Sequence, residues 1–239
     1  MGLLNFLSGG CRGNGATVQA AEGETFVTDH GKQVNLELYY HASFCIEYDG
    51  YRIQVDPVAN QDHNYDKQDI TSLVLVTHEH QDHFSPATID KLRGKGVLEV
   101  VANPRVAEQV PGAVTMKNGD TLQWASGIVI EAVPAYNTTP GRDKFHPRGR
   151  DNGYILTLDG LRIYIAGDTE DIPEMEQLSD IDIAFLPCNQ PYTMTPDQLV
   201  KAARLIKPRV LYPYHYNETD MSGVGAQLPG IDVRLRNMK

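Results

Sequence analysis

Residues 73–86 read Leu73-Val74-Leu75-Val76-Thr77-His78-Glu79-His80-Gln81-Asp82-His83-Phe84-Ser85-Pro86. The first four are an apolar run of strand length, and Ser85-Pro86 is a helix start, so the residues between them form a strand-to-helix loop. Three of the eight histidines of the chain fall within this loop, together with a carboxylate. On extended backbone His78 and His80 point to the same side, while Asp82 and His83 can aim at a neighbouring point. Neutral imidazole and carboxylate are donors that a divalent ion such as zinc accepts. The plainer alternative is a histidine-rich loop in solvent.

The rest of the composition narrows the class. With 239 residues the chain can bury a substantial core, and no linker-like segment divides it, so one domain over residues 31–239 is expected after a flexible arm at 1–30. The formal charge of −10 argues against a general nucleic-acid binder, because such proteins place many cations along phosphates. Cys11, Cys45 and Cys188 are odd in number and far apart, which suggests free thiols rather than a disulfide framework. No stretch approaches the roughly 20 apolar residues of a membrane span. Leu3-Leu4-Asn5-Phe6-Leu7 lacks a preceding Lys or Arg and makes a poor signal peptide. Leu7 is one place too far from Cys11 for a lipidated cysteine. These features favour the cytoplasm, with export behind a removed or altered leader as the alternative. Oligomeric state is not legible.

Ordered structure is expected from about Val34. Val34–Tyr40, Ser43–Tyr48 and Tyr51–Val55 read as an antiparallel meander, its second turn being Asp49-Gly50. The meander ends at Asp56-Pro57. A helix is expected from Pro86 to about Arg93 behind the Ser85 cap, then a strand Val97–Ala102 and a short helix Pro104–Val110. Thr121–Trp124 and Ile128–Val133 follow, and the second of these leads to Asn137. Gly153–Leu158 and Leu161–Ala166 form a hairpin over Asp159-Gly160 that delivers Gly167-Asp168-Thr169. After a helix near Ile172–Leu178 and a strand Ile181–Leu186, Thr195 caps a helix to about Ile206 with Gln198 three residues on. Strand Arg209–Leu211 runs toward His215, and Ile231–Leu235 reads as a last strand.

Several of these strands finish at a residue able to bind or orient a metal: His78, His80, Asp82 and His83, then Asn137, Asp168 and His215. Groups from the same end of different strands can meet at one rim held by a rigid sheet. Taken alone, Asp168 reads as a turn residue and His215 as a core histidine. Between Thr138 and Asn152 lies a long loop that packs four of the 21 Lys and Arg, Arg142, Lys144, Arg148 and Arg150, into nine residues around His146. It reads either as a solvated loop or as a flap that attracts an anionic substrate.

The set His78-x-His80-x-Asp82-His83, Gly167-Asp168-Thr169 and the late His215 resembles the metallo-β-lactamase superfamily. Asp56 in Val-Asp-Pro and His41 in His-Ala-Ser-Phe are similar to features of its ascorbate-6-phosphate lactonase-like branch. The resemblance covers about residues 34–236 and implies an α/β fold, a four-layer αβ/βα sandwich of two mixed β-sheets flanked by helices, with metals at one edge. It further implies that His78 and His80 bind a first ion, that Asp82, His83 and His215 bind a second, and that Asp168 bridges them. The family's third histidine on the first ion belongs where this chain has Asn137. Either that ion is held less tightly, or His146 replaces the imidazole, or His146 faces substrate or solvent. Asp56 and His41 would orient the imidazoles from behind. Position 80 is His rather than the Glu of di-iron oxygen reductases, which favours hydrolysis.

The expected chemistry is hydrolysis of a small, anionic ester, lactone or phosphodiester. One or two ions, zinc foremost and manganese or iron as alternatives, would lower the pKa of bound water from near 16 toward about 7 and polarise the attacked oxygen. Asp82 would orient the nucleophile, and His146 could protonate the leaving group. The competing expectation is a non-catalytic metal-binding or scaffold protein, with Asn137 marking a degenerate first site. A thiol enzyme using Cys188 is weaker, because no histidine lies near it in sequence.

Overall fold

The computed structural model describes residues 24–66, 70–96 and 98–239. Its first half forms a seven-stranded sheet of β1 (Glu24–Val27), β2 (Gln33–Tyr40), β3 (Ser43–Tyr48), β4 (Tyr51–Val55), β5 (Leu73–Val76), β6 (Glu99–Ala102) and β7 (Val114–Thr115), in that spatial order. The second half repeats the plan with β8 (Thr121–Ala125), β9 (Ile128–Ala135), β10 (Asp151–Leu158), β11 (Leu161–Ile165), β12 (Ile183–Pro187), β13 (Val210–Tyr214) and β14 (Asp232–Val233). In each sheet the first four strands pair antiparallel and the rest parallel. Both sheets are therefore mixed, as expected.

The alternation of side chains explains the layers. In β5, Leu73 and Leu75 face the core between the sheets, whereas Val74 and Val76 face outward. There they meet Ile89 and Leu92 of α1 (Pro86–Arg93) and Val106 of α2 (Pro104–Ala107). An apolar run that buries both faces is what a strand paired in parallel and covered by helices requires. On the second half, α3 (Pro196–Ile206) buries Leu199, Val200, Ala203 and Ile206. Across the central layer Phe44 of β3 stacks on Phe185 of β12, with ring centroids 4.2 Å apart, so the two sheets meet through aromatic as well as aliphatic contact.

Local chemistry sets the corners. Asp49-Gly50 and Asp159-Gly160 both have positive φ at the two turn positions, the twist that a tight hairpin needs. Ser85 accepts a hydrogen bond from the Thr88 amide, and Thr195 and Gln198 close both bonds of a capping box.

Three expectations need correction. The arm was expected to stay loose to residue 30, yet Glu24–Val27 is a strand paired with β2. Its ordering comes from far away in sequence: the buried Glu24 carboxylate is bound by the Tyr212 hydroxyl, Arg234 and Arg236. Residues 1–23, Cys11 among them, lie outside the described residues. The strand expected over Arg209–Leu211 runs instead to Tyr214, through Pro213, and the expected helix at 172–178 is a 3₁₀ turn, Pro173–Gln177. Among the described residues no helix is long and apolar enough to cross a membrane.

Phe44 is wholly buried at the junction of the sheets. Phe44→Ala should therefore cost about 3–5 kcal/mol of stability. Urea unfolding should show a lower midpoint with an unchanged slope if the sheets otherwise stay packed.

Candidate metal centre

Because the pairings alternate as they do, β2, β4 and β5 all run in one direction, and so do β9, β11 and β13. Their C-terminal ends lie at one rim. His41 follows β2, Asp56 follows β4, His78–His83 follow β5, Asn137 follows β9, Asp168 follows β11 and His215 follows β13. Three of these, His41, Asp56 and His215, have left-handed backbone with φ of 56°, 40° and 50°. Such conformations cost on the order of 1 kcal/mol or more in a non-glycine residue and gather at sites whose geometry is held by the surroundings. Gly167, at φ 64°, could carry no Cβ: one would stand 2.8 Å from the Asn152 carbonyl oxygen. That close crossing turns the chain so that Asp168 faces the rim.

Two sets of donors result, each with one ligand atom per residue and all four atoms within 4.8 Å of one another: His78, His80, His146 and Asp168, and beside them His41, Asp82, His83 and His215. In the first, His78 Nε2 and His146 Nε2 lie 3.1 and 3.2 Å from His80 Nδ1, and His146 Nε2 lies 3.3 Å from Asp168 Oδ2. A tetrahedral ion with bonds of about 2.0–2.1 Å would hold its donors about 3.3–3.4 Å apart. In the second, Asp82 Oδ2 is 3.2 Å from His41 Nε2 and 3.3 Å from His215 Nε2. Asp168 joins the sets, since its Oδ1 is 3.2 Å from His83 Nε2 and its Oδ2 3.5 Å from His215 Nε2.

The hydrogen bonds behind these atoms decide which lone pairs are free. The Thr77 hydroxyl donates to Asp56 Oδ2 at 2.7 Å, so at 3.0 Å it accepts from His78 Nδ1, which leaves His78 Nε2 bare. His83 Nδ1 donates to the same carboxylate at 2.8 Å. The Asn137 amide donates to the Tyr192 carbonyl at 2.7 Å, so its oxygen accepts from His146 Nδ1 at 2.8 Å and bares His146 Nε2. Two bare nitrogens thus converge on His80, where one shared proton could satisfy only one of them. His83 Nε2, His215 Nε2 and Asp168 Oδ1 are buried and face one another and Asp82 without well-formed hydrogen bonds, Asp168 Oδ1 3.2 Å from His83 Nε2 and Asp82 Oδ2 3.3 Å from His215 Nε2. Buried nitrogens and oxygens gathered in this way fit a shared cation.

The electrostatics agree. Burial, reinforced by the neighbouring His83, pushes His78 well below the usual histidine range and keeps it neutral. Burial opposes charge on His83 too, but Asp168 and Asp56 outweigh it and hold His83 protonated in the ion-free protein. Asp168 is likewise penalised by burial yet held well below the carboxylate range, chiefly by His215 and His83. Asp82 is lowered against burial by its bonds from His215 and His41.

The residues expected from sequence to bind or orient a metal meet here. His146, for which three roles were open, stands beside His78 and His80, and Asn137 is the group that aims it. His41, expected to orient an imidazole from behind, presents its own Nε2 to Asp82. The basic loop differs from an open flap: Arg142 faces Glu170, Arg148 pairs with Glu174, and Arg150 pairs with Asp151. Thr77 was overlooked because a threonine before a histidine cluster carries no signal of its own, and Glu170 because its partners lie some 30 residues upstream. Cys45 and Cys188 are buried, and burial pushes each thiol up to about 12, so neither is a nucleophile in this state.

A two-sheet sandwich whose rim joins imidazoles and carboxylates in two adjoining donor sets defines a class of metal-ion enzymes. The chain belongs to the metallo-β-lactamase superfamily: the family profile described as a beta-lactamase superfamily domain matches residues 35–215. A metal-dependent hydrolase of the UPF0173 group from Pyrococcus abyssi is 35% identical over 199 residues, which span 77% of this chain and 85% of that one. Among solved structures, a protein from Parabacteroides distasonis described as a metal-dependent hydrolase is 50% identical, with a TM-score of 0.87 over 92% of this chain and all (100%) of that one. Igni18, a metallo hydrolase from Ignicoccus hospitalis, is 26% identical, with a TM-score of 0.71 over 84% of this chain and 94% of that one.

Two measurements test the geometry. Asp56→Ala frees both His83 and Thr77 and should weaken metal binding by about 10- to 100-fold in calorimetric titration. An ion binding His83 Nε2 would displace the proton that faces Asp168 there, while the Nδ1 proton stays on Asp56, so uptake should release a proton and weaken as pH falls. Titrations at one pH in buffers of different ionisation enthalpy would give equal heats if no proton were released.

Proposed function

We propose that this metal-dependent hydrolase acts on a small ester, lactone or phosphodiester bearing an anionic group, using a centre of two divalent ions. The observation that carries the reading is the pair of adjoining donor sets joined by Asp168. In it His78, His80 and His146 would hold one ion, Asp82, His83 and His215 the other, with His41 against Asp82 as a further nitrogen donor. Zinc is the first candidate, because the donors are mainly imidazole; manganese and iron accept the same groups. Bound there, such ions would polarise a carbonyl or phosphoryl oxygen and make water nucleophilic at neutral pH.

The chain's own residues then have distinct tasks. Asp82, whose side chain is half exposed, is the carboxylate that can reach and orient incoming water. Asp56, through Thr77 and His83, fixes the imidazole tautomers. His146 has its Nδ1 engaged by Asn137 and its Nε2 in the first donor set, which supports a ligand role over that of proton donor to a leaving group. The same arrangement removes the motive for a scaffold reading, since that rested on Asn137 as a defective site. Of the loop cations, Lys144 is exposed and, among the described residues, has no carboxylate within ion-pair distance, so it is the cation left for an anionic group. The lactone in this range follows from the likeness of Asp56 and His41 to the lactonase-like branch. The absence of a membrane-crossing helix among the described residues is compatible with action on a small dissolved molecule in the cytoplasm.

The test is hydrolysis of a panel of aryl esters, lactones and phosphodiesters before and after chelation. Turnover should vanish with chelator and return with zinc, manganese or iron. His146→Ala should hold close to one ion fewer per chain and lose most of its turnover. Protein that turns over no member of the panel with any of these metals would defeat the substrate reading, and protein that retains no ion would defeat the metal centre itself.

A further inference from the structure

His146 differs from the other donors in one respect: it does not stand at a strand end. It sits within residues 136–150, the connection between β9 and β10, and a donor on a loop is only as well placed as the loop is held. We propose that Glu170 is the positioning residue for the first donor set, clamping the entry of this loop so that His146 reaches His78 and His80. The proposal rests on the metal-centre reading above and goes beyond it in naming what controls the first ion.

The Glu170 side chain is fully buried, at 0% exposure. Its Oε2 accepts from the Thr138 amide at 2.7 Å, the Thr138 hydroxyl at 2.9 Å and the Thr139 amide at 2.6 Å. Its Oε1 faces the Arg142 guanidinium at 3.5 Å. Glu170 also donates its own amide to the Tyr136 carbonyl at 3.0 Å, and Thr169 bonds Tyr136 on both sides. The chain that follows Asp168 therefore grips the loop immediately before and after Asn137, and Asn137 in turn holds His146 by a side-chain bond of 2.8 Å and a backbone bond of 2.9 Å.

At the entry of the loop the tether is the buried Glu170, as at its exit it is the partly buried Arg150, bonded to Asp151 and the Phe145 carbonyl. Arg148–Glu174 involves a guanidinium that is 71% exposed, and exposed ion pairs are screened and worth little. A buried carboxylate cannot exchange its partners for water, so releasing the loop would strand its charge. Undocking at Thr138 and Thr139 is disfavoured for that reason, and the first donor set inherits the stability of the clamp. The second set, supplied by His41, Asp82, His83 and His215, has no member on this loop.

The experiment is titration of metal-free protein with Zn²⁺ by calorimetry and with Co²⁺ by visible absorption. Wild type should take up two ions, and the step lost in His146→Ala identifies the first set. Glu170→Ala should weaken that same step by on the order of 10-fold and leave the other unchanged. Glu170→Gln keeps one oxygen for the two amides and should fall between them; Thr138→Val, at an exposed position, should give a smaller loss of the same step. In the His146→Ala background Glu170→Ala should cost nothing more, because the two act through one another. The proposal is overturned if Glu170→Gln and Thr138→Val bind both ions as wild type does, if both steps weaken equally alongside a lowered thermal midpoint, or if the effects of Glu170 and His146 add. Should Glu170→Ala fail to fold, the Gln and Val variants decide. Wild type that binds no ion would refute the metal centre and the clamp with it, whereas loss of one step in His146→Ala with both ions bound at wild-type affinity in the Glu170 and Thr138 variants would refute the clamp alone.

Discussion

Asp168 is a carboxylate removed from water, and most of the rim is arranged around that fact. It lies within 3.2 Å of His83, 3.3 Å of His146, 3.5 Å of His215 and 3.8 Å of His78. A buried charge without compensation costs several kcal/mol, so these imidazoles are as necessary to Asp168 as it is to them. Each imidazole needs its own support. Asp56 and Thr77 hold His83 and His78, Asn137 holds His146, and the loop bearing Asn137 is gripped by Glu170. A proton on His83 supplies compensating positive charge, and a divalent ion held by these groups would supply it in the proton's place.

The sheets make this convergence possible. Both halves pass from antiparallel to parallel pairing at the same point, and the two sheets then face each other through Phe44 and Phe185. Strand ends of equal direction from both halves reach the same rim. A twisted sheet packed on both faces deforms little, so donors separated by more than 130 residues, such as His78 and His215, keep ångström-scale relations. Left-handed backbone at His41, Asp56 and His215 bends the chain out of the strands at that edge, a strain the packed sheets can sustain.

Much of the fold could be read from the chain because its signals are local. Ser43–Tyr48, Tyr51–Val55 and Leu73–Val76 are observed with the bounds that turn residues and apolar runs suggest, and the Ser85 and Thr195 caps are formed as expected. The exceptions are elements stabilised from a distance. The strand Glu24–Val27 depends on Tyr212, Arg234 and Arg236, and β7 is two residues long, too short for any periodicity. The charges of the loop were visible in the sequence, but their partners were not. From sequence Arg142 and Arg148 read as available to a substrate; in the fold they face Glu170 and Glu174.

The sequence by itself determined that histidines and aspartates would stand at strand ends, since strand, turn and cap preferences act over a few neighbouring residues. It left open which group fills the place opposite Asn137, because a loop closes according to contacts its own residues do not encode. Only the tertiary structure decided that His146 swings to His80, through a buried carboxylate on another strand's continuation and an amide that is itself pinned by the Tyr192 carbonyl. Local propensity sets which groups are displayed; long-range burial and charge pairing set where they converge.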